Sequence, residues 1–166
     1  MYYNHLGMSL IHNVLSNKDR KKIIKDCQPL LQDFGEGFPG KQTSSTLHLH
    51  FNFISPIKDM IRIIVKETGL DLVVADKAWI NWTNGSKKDI AWHRHPECDY
   101  ASVYYIKTPI PFFSNGTVFK DGLVRAPQNS MIIFPAHLLH TAPSSPFRFG
   151  RYTMAINLNI RNNFKR

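Results

Sequence analysis

Positions 151 to 160, RYTMAINLNI, alternate without a break. Successive side chains of an extended strand point to opposite faces. Tyr152, Met154, Ile156, Leu158 and Ile160 therefore share one side, and Arg151, Thr153, Ala155, Asn157 and Asn159 share the other. A strand with one wet face has this pattern. So does a barrel strand whose apolar face lies under helices while its polar face lines an interior pocket. Shorter apolar runs precede it at 72–74, 78–83, 101–107, 116–119 and 130–134, broken by NGS, TPIPFFSNG, APQNS and APSSP. Many short strands with Pro, Gly and Asn between them predict a sandwich or barrel of the jelly-roll kind.

Before Gly69 the period is that of a helix. Ser16 followed by Asp19 has the form of a capping box, Ile23, Ile24 and Cys27 recur at helical spacing, and Pro29 predicts a stop near Gln28. Residues 35–46, GEGFPGKQTSST, read as loop. A second helix is predicted with Ser55 as N-cap, Pro56 in the first turn and Gly69 just past its end, its apolar face being Ile57, Met60, Ile61, Ile64 and Val65. The expected architecture is mainly β with N-terminal helices. One domain spans 1–166, with 1–70 a mostly helical support and 71–166 the jelly-roll core.

Composition changes this picture little. With 166 residues, 43% hydrophobic and 20% charged, the chain is globular and suits a single core. No apolar run is long enough to span a membrane, and the first residues lack the features of a signal peptide. Cys27 and Cys98 do not make a disulfide framework; the expectation is a cytoplasmic protein with two reduced thiols. Charge is uneven. Up to Ile106 there are 13 Lys/Arg against 11 Asp/Glu; from Lys107 onward 8 Lys/Arg face only Asp121, an excess of 7 within the overall +9. That excess admits nucleic acid as a partner without favouring it, because aromatic and basic residues do not interleave as in single-strand binders. No part of the sequence specifies an oligomeric state.

The chemistry is in the histidines. His93 and His95 stand two apart in AWHRHPECDYASVYYI, so both imidazoles reach one point from an extended chain. A third ligand has to come from a neighbouring strand, and His140 in MIIFPAHLLHTAP sits between a buried-looking strand and the last strand. His137 competes with it, with a structural or solvated role as the plainer reading. His48 and His50 repeat the His-x-His spacing, but a helix signal follows and no strand pairing is evident. His5 and His12 have no partner pattern. Glu97 adds an alternative, since His95-Pro96-Glu97 is a His-x-Glu pair and two histidines with one carboxylate suit non-haem Fe(II). The candidate sets are His93/His95/His140 and His95/Glu97/His140.

These residues stand in an order that resembles the Fe(II)/2-oxoglutarate-dependent oxygenases, in particular the small bacterial and phage branch related to prolyl 4-hydroxylases. The motifs are W-x-N at Trp79 and Asn81, H-x-H-P at 93–96, S-V-Y-Y-I at 102–106, I-I-F-P at 132–135, then His140, then Arg151-Tyr152-Thr153, covering roughly half the chain. The resemblance implies a double-stranded β-helix with flanking N-terminal helices. It places the metal ligands on His93, His95 and His140. It also implies that Arg151 binds the far carboxylate of 2-oxoglutarate with Thr153 supplying a hydroxyl, that Tyr105 donates to the same carboxylate, and that Asn81 is a polar pocket residue. A guanidinium fork meets a carboxylate through two parallel N–H donors.

Two departures from the family's pattern stand out. The turn before the strand at 130–134 is Gln128-Asn129-Ser130 where a glycine is usual, and Asn tolerates positive φ. A histidine at 95 leaves the site without the carboxylate's charge, which bears on 2-oxoglutarate turnover. The implied cofactors are Fe(II), 2-oxoglutarate as cosubstrate, and O2. The implied activity is hydroxylation of a C–H bond in a peptide (a prolyl side chain among the options), an amino acid or a small metabolite. The rivals are a cupin-like metal-binding jelly roll without 2-oxoglutarate turnover and an oxidative nucleic-acid dealkylase. Trp82, Trp92 and Phe134 are expected either to keep the pocket dry or to be plain core aromatics. The loops 107–115 and 141–150 are expected to border its entrance.

Overall fold

The computed structural model describes residues 7–34, 38, 40–83, 90–109, 116–143 and 150–161. Along these the chain runs β1 (Ser9–His12), α1 (Asn17–Cys27), β2 (Gln32–Asp33), β3 (Gly40–Gln42), α2 (Phe51–Thr68), β4 (Leu72–Thr83), β5 (Tyr100–Lys107), β6 (Thr117–Phe119), β7 (Gly122–Val124), β8 (Ser130–Pro135), β9 (His140–Thr141) and β10 (Arg151–Ile160). The larger sheet has the order β1-β8-β5-β10-β4-β3-β2 and the smaller one β7-β6-β9. All the strand pairings are antiparallel. The fold is mainly β, two antiparallel sheets in a jelly roll with helices outside, as the sequence predicts. Besides its two helices, the first 70 residues supply β1, β2 and β3, which complete both edges of the larger sheet.

The helix ends follow local chemistry. Ser16 caps α1: its Oγ accepts from the Asp19 N–H at 3.1 Å and donates to the Asp19 carboxylate at 2.5 Å. The helix passes into a 3-10 turn at Gln28–Leu30, where Pro29 cannot continue it. Gly69 closes α2 in the left-handed region (φ 73), its N–H donating to Val65 O at 2.9 Å. The start of α2 differs from the prediction. The cap is His50, whose Nδ1 accepts from the Asn52 N–H at 3.3 Å, and Ser55 and Pro56 lie inside the helix. Ser-Pro is a strong local start signal, but Phe53 is fully buried against the sheet, and winding the chain from Phe51 puts it there.

The faces of the larger sheet bury different things. On one, Tyr152, Met154, Ile156 and Leu158 of β10 join Ile80, Tyr104, Ile106, Met131 and Ile133 against Ile23 and Cys27 of α1 and Phe53, Ile57, Met60 and Ile64 of α2. Each such side chain, fully buried, contributes about 1.5–3 kcal/mol. The other face carries a smaller cluster of Met8, Ala101, Tyr105, Phe119, Ala126, Ile132 and Phe134, closed by the smaller sheet. Trp82 packs with the helix-side core, and Trp92 is half exposed, so neither dries the pocket. Gly150 lies on Trp82, where a Cβ would come within 2.3 Å of the indole Nε1. Cys27 and Cys98 are free thiols, the first buried.

Asn129 turns the chain into β8 with φ 64, which an Asn accepts without glycine. Its amide bonds both main-chain groups of Leu15, donating to O at 2.9 Å and accepting from N at 3.0 Å, and its Oδ1 also accepts from Tyr104 OH at 2.8 Å. One residue thus ties the β1–α1 connection to the barrel.

Candidate active site

Between the two sheets lies a cavity of about 340 Å³. The larger sheet lines it with Trp79, Asn81, Val103, Tyr105, Arg151, Thr153, Ala155 and Asn157; the opposite wall is Ile90, His93, His95, Thr117, His140 and Thr141. The polar face of β10 therefore faces a pocket and not bulk water.

The histidines meet because residues 90–95 run antiparallel to 136–142. Ile90 N donates to Ala142 O at 3.1 Å, His93 and His140 exchange two backbone bonds of 2.9 Å, and His95 N donates to Ala136 O at 2.9 Å. On its other side β9 pairs with β6, Phe119 opposite His140. A donor atom from each of His93, His95 and His140 lies within 4.8 Å of the others, and among the described residues this is the one such group of three. Ring centroids are 4.3 Å apart for His93–His140 and 5.2 Å for the other two pairs. Phe134 packs edge-on against His140 at 4.6 Å and Trp79 lies 5.9 Å from His95, so apolar rings back two of the three imidazoles.

The donor chemistry fits a metal ion. His93 Nδ1 stands 2.8 Å from Ala91 O and His140 Nδ1 2.9 Å from Leu138 O. A carbonyl only accepts, so each Nδ1 carries the proton and each Nε2 keeps a lone pair to offer. Burial, reinforced by His93 and Lys77 and opposed by Glu97, lowers His95 to about 4. Burial likewise brings His140 to about 4, against its bond to Leu138 and with repulsion from His93 and His95. Both rings are thus neutral near pH 7, the form that coordinates metal.

Glu97 is outside the group of three. Its Oε1 is 4.0 Å from His95 Nδ1, accepts from Asn157 Nδ2 at 3.1 Å, and pairs with Lys77 Nζ at 3.3 Å. Burial resists its ionisation, but its backbone N–H, Lys77 and His95 outweigh that and hold the carboxyl below the usual range. The bond from Asn157 Nδ2 also orients that amide. Its Oδ1, like Asn81 Oδ1, is buried without a hydrogen-bond partner among the described residues, and both residues line the cavity.

Across the larger sheet Gln42, Asn81, Thr153 and Tyr105 stand in one row, each opposite the next. Arg151 stands opposite Thr83, two residues along β10 from Thr153, and is 3% exposed, with Nη1 donating to Pro143 O at 3.2 Å. Tyr105 OH is 2.7 Å from Thr117 Oγ1; burial raises this phenol to about 12, while Thr117 and Arg151 pull the other way. The described lining holds one permanent charge, that of Arg151, and no carboxylate. A buried guanidinium beside hydroxyl groups suits an anion, and a dicarboxylate of 2-oxoglutarate size fits a cavity of this volume.

Every sequence-predicted site residue, His93, His95, His140, Arg151, Thr153, Tyr105 and Asn81, lines this one cavity. The decoys go elsewhere: His50 caps α2 and stacks on Phe51, and His48 lies in the 3-10 turn Leu47–Leu49. The strand holding Thr117 was expected, but its hydroxyl beside Tyr105 was not anticipated, and neither was Trp79 as the neighbour of His95. Most of the expected entrance loops, 110–115 and 144–149, lies outside the described residues.

No protein-family model and no curated protein matches the chain. Solved structures do match in fold. A prolyl hydroxylase from Trichoplax adhaerens, in complex with a hypoxia-inducible-factor peptide, aligns with TM-score 0.69 at 10% identity over 95% of this chain and 86% of its own. HygX from Streptomyces hygroscopicus, with nickel and 2-oxoglutarate bound, aligns at 0.68 and 11% over 94% and 84%. A viral collagen prolyl hydroxylase from Paramecium bursaria Chlorella virus-1, as its 2-oxoglutarate complex, aligns at 0.61 and 13% over 91% and 94%. At such identities the likeness is one of fold: this chain has the jelly roll on which these prolyl hydroxylases and related 2-oxoglutarate enzymes are built.

Proposed function

We propose that the protein is an Fe(II)- and 2-oxoglutarate-dependent oxygenase that hydroxylates a C–H bond of a small molecule or peptide. The observation that carries this reading is the convergence of His93, His95 and His140 within 4.8 Å on one wall of a cavity that Arg151 also lines. Solved structures of the same fold support it, one with nickel and 2-oxoglutarate and one with a peptide.

In this reading His93, His95 and His140 hold Fe(II). When bound, the iron with 2-oxoglutarate and O2 supplies the oxidation. The protein's own part is placement. Arg151 binds the far carboxylate through two N–H groups, and Thr153 and Tyr105 add hydroxyl donors. The Tyr105 phenol keeps its proton at any working pH, because burial holds it near 12. The carbonyl oxygens of Asn81 and Asn157 are acceptors for donors on the substrate, and Trp79 and Phe134 keep water from the imidazoles.

The test is succinate formation from 2-oxoglutarate with Fe(II) in air, joined to a visible charge-transfer band when Fe(II) and 2-oxoglutarate are added without oxygen. Metal binding without band or succinate would overturn the reading. That result would favour a cupin-like metal protein, which three imidazoles with no coordinating carboxylate also suit. Binding to nucleic acid is a further reading only through the basic C-terminal half. Loss of DNA or RNA retention at modest salt removes it.

A further inference from the structure

Three imidazoles give a ferrous ion no negative charge, whereas two histidines and a carboxylate give one. The three rings are not equivalent here. His93 and His140 each turn Nδ1 toward a main-chain carbonyl, of Ala91 and Leu138. His95 turns its Nδ1 toward the Glu97 carboxylate instead, at 4.0 Å, longer than a hydrogen bond but within reach of direct charge attraction. Two side chains hold Glu97 there. Asn157 Nδ2, from the cavity face of β10, donates to the same Oε1 at 3.1 Å. Lys77 Nζ approaches it at 3.3 Å from the stretch of β4 where pairing with β10 shifts between Ile156 and Leu158.

We propose that Glu97 is a positioning residue that returns to the metal centre, through His95, the negative charge the coordinating set lacks. The inference rests on the metal reading of His93, His95 and His140. A carboxylate facing Nδ1 at this distance acts through its charge: it favours a proton on that nitrogen and the positive charge the ring takes up when Nε2 coordinates, more than a neutral carbonyl does. Lys77 works against this. Its ammonium draws on the same oxygen and, with Glu97 about one-third and Lys77 under one-half exposed, tempers the charge that reaches His95. The pair sets the strength of a site in which one ligand differs from the other two.

The experiment measures Co(II) and Fe(II) affinity by competition with a chromophoric chelator at fixed pH, and records the Co(II) visible spectrum, in wild type and three variants. Glu97→Gln keeps the volume and a hydrogen-bonding oxygen but removes the charge; it weakens metal about 10–100-fold and shifts the Co(II) bands. Glu97→Asp recovers most of the loss. Lys77→Met leaves affinity equal or tighter, because it frees the carboxylate for His95. If the three groups were only a structural clamp, Lys77→Met would weaken metal as Glu97→Gln does, and that result overturns the proposal. So does Glu97→Gln within twofold of wild type with unchanged bands. Wild type binding no metal would sink the metal reading itself, a separate outcome.

Discussion

β10 has one backbone and two destinies. Tyr152, Met154, Ile156 and Leu158 sit among the helices, while Arg151, Thr153, Ala155 and Asn157, their immediate neighbours in sequence, line the cavity. All eight are buried, so burial does not tell the faces apart. What differs is what each face is packed against: hydrocarbon on one side, and on the other a space bounded by amides, hydroxyls and a guanidinium. The first face holds the fold together; the second buries polar groups around a cavity, which costs stability unless a ligand or neighbour satisfies them. Substitutions on the two faces should therefore fail in different ways.

The largest effect belongs to the helix side. Ile156→Asp places a carboxylate in a fully buried apolar site and should abolish folding, read as loss of the cooperative urea transition. Ile156→Ala at the same position should cost about 2–5 kcal/mol. Across the cavity, His140→Ala should leave a cooperative transition in place but remove Fe(II) binding and the anaerobic 2-oxoglutarate band together. Were the cavity wall as essential to folding as the helix-side core, this variant would unfold too. Next comes Arg151→Ala, expected to weaken 2-oxoglutarate on the order of 100-fold with metal affinity retained, since one of two bidentate partners is gone. Joint loss of metal and 2-oxoglutarate would instead make Arg151 a folding residue.

A pH series sharpens the contrast further. His95 and His140 are lowered from 6.5 to about 4, so the folded state prefers their neutral forms. Stability from that preference is full above pH 6.5 and is lost as pH falls through about 4. Urea midpoints of the metal-free protein should drop across that window, and His140→Gln should flatten part of the drop. The smallest effect is expected for Tyr105→Phe, which removes one hydrogen bond to Thr117 and, in the proposed reading, one donor to the cosubstrate: about 1 kcal/mol in stability and a few-fold in 2-oxoglutarate affinity.

The same contrast explains what could be read from the sequence. β10 was legible because ten residues alternate without interruption, and both faces went where the alternation pointed. β4 was read as two pieces, 72–74 and 78–83, because Asp76 and Lys77 interrupt the apolar pattern; it is one strand whose pairing with β10 shifts there. β1, β2, β3, β7 and β9 have two to four residues each, too few for a period; β1, β3 and β9 exist because distant strands offer them partners, while β2 and β7 pair with their chain neighbours β3 and β6. His93 and His95 stood out by their His-x-His spacing, but His48 and His50 share it and Glu97 competed for the same set, so spacing alone did not decide. His140 needed a pairing between residues 90–95 and 136–142 that no local pattern encodes. Glu97 shows the limit of spacing: 93, 95 and 97 share a register, yet the chain turns after Pro96 and sends the carboxylate behind His95.

Asn129 carries a consequence for how the molecule assembles. Its amide clasps Leu15 across 114 positions of chain, and β1 pairs only with β8. A ribosome releases β1 long before either of those anchors exists, so this strand has to wait, unpaired, for a turn more than a hundred residues later to close. Its docking should be the late step of refolding. An Asn129→Ala chain should show that delay as slow recovery of amide protection at 9–12, while the β4–β10–β5 centre forms on its usual schedule.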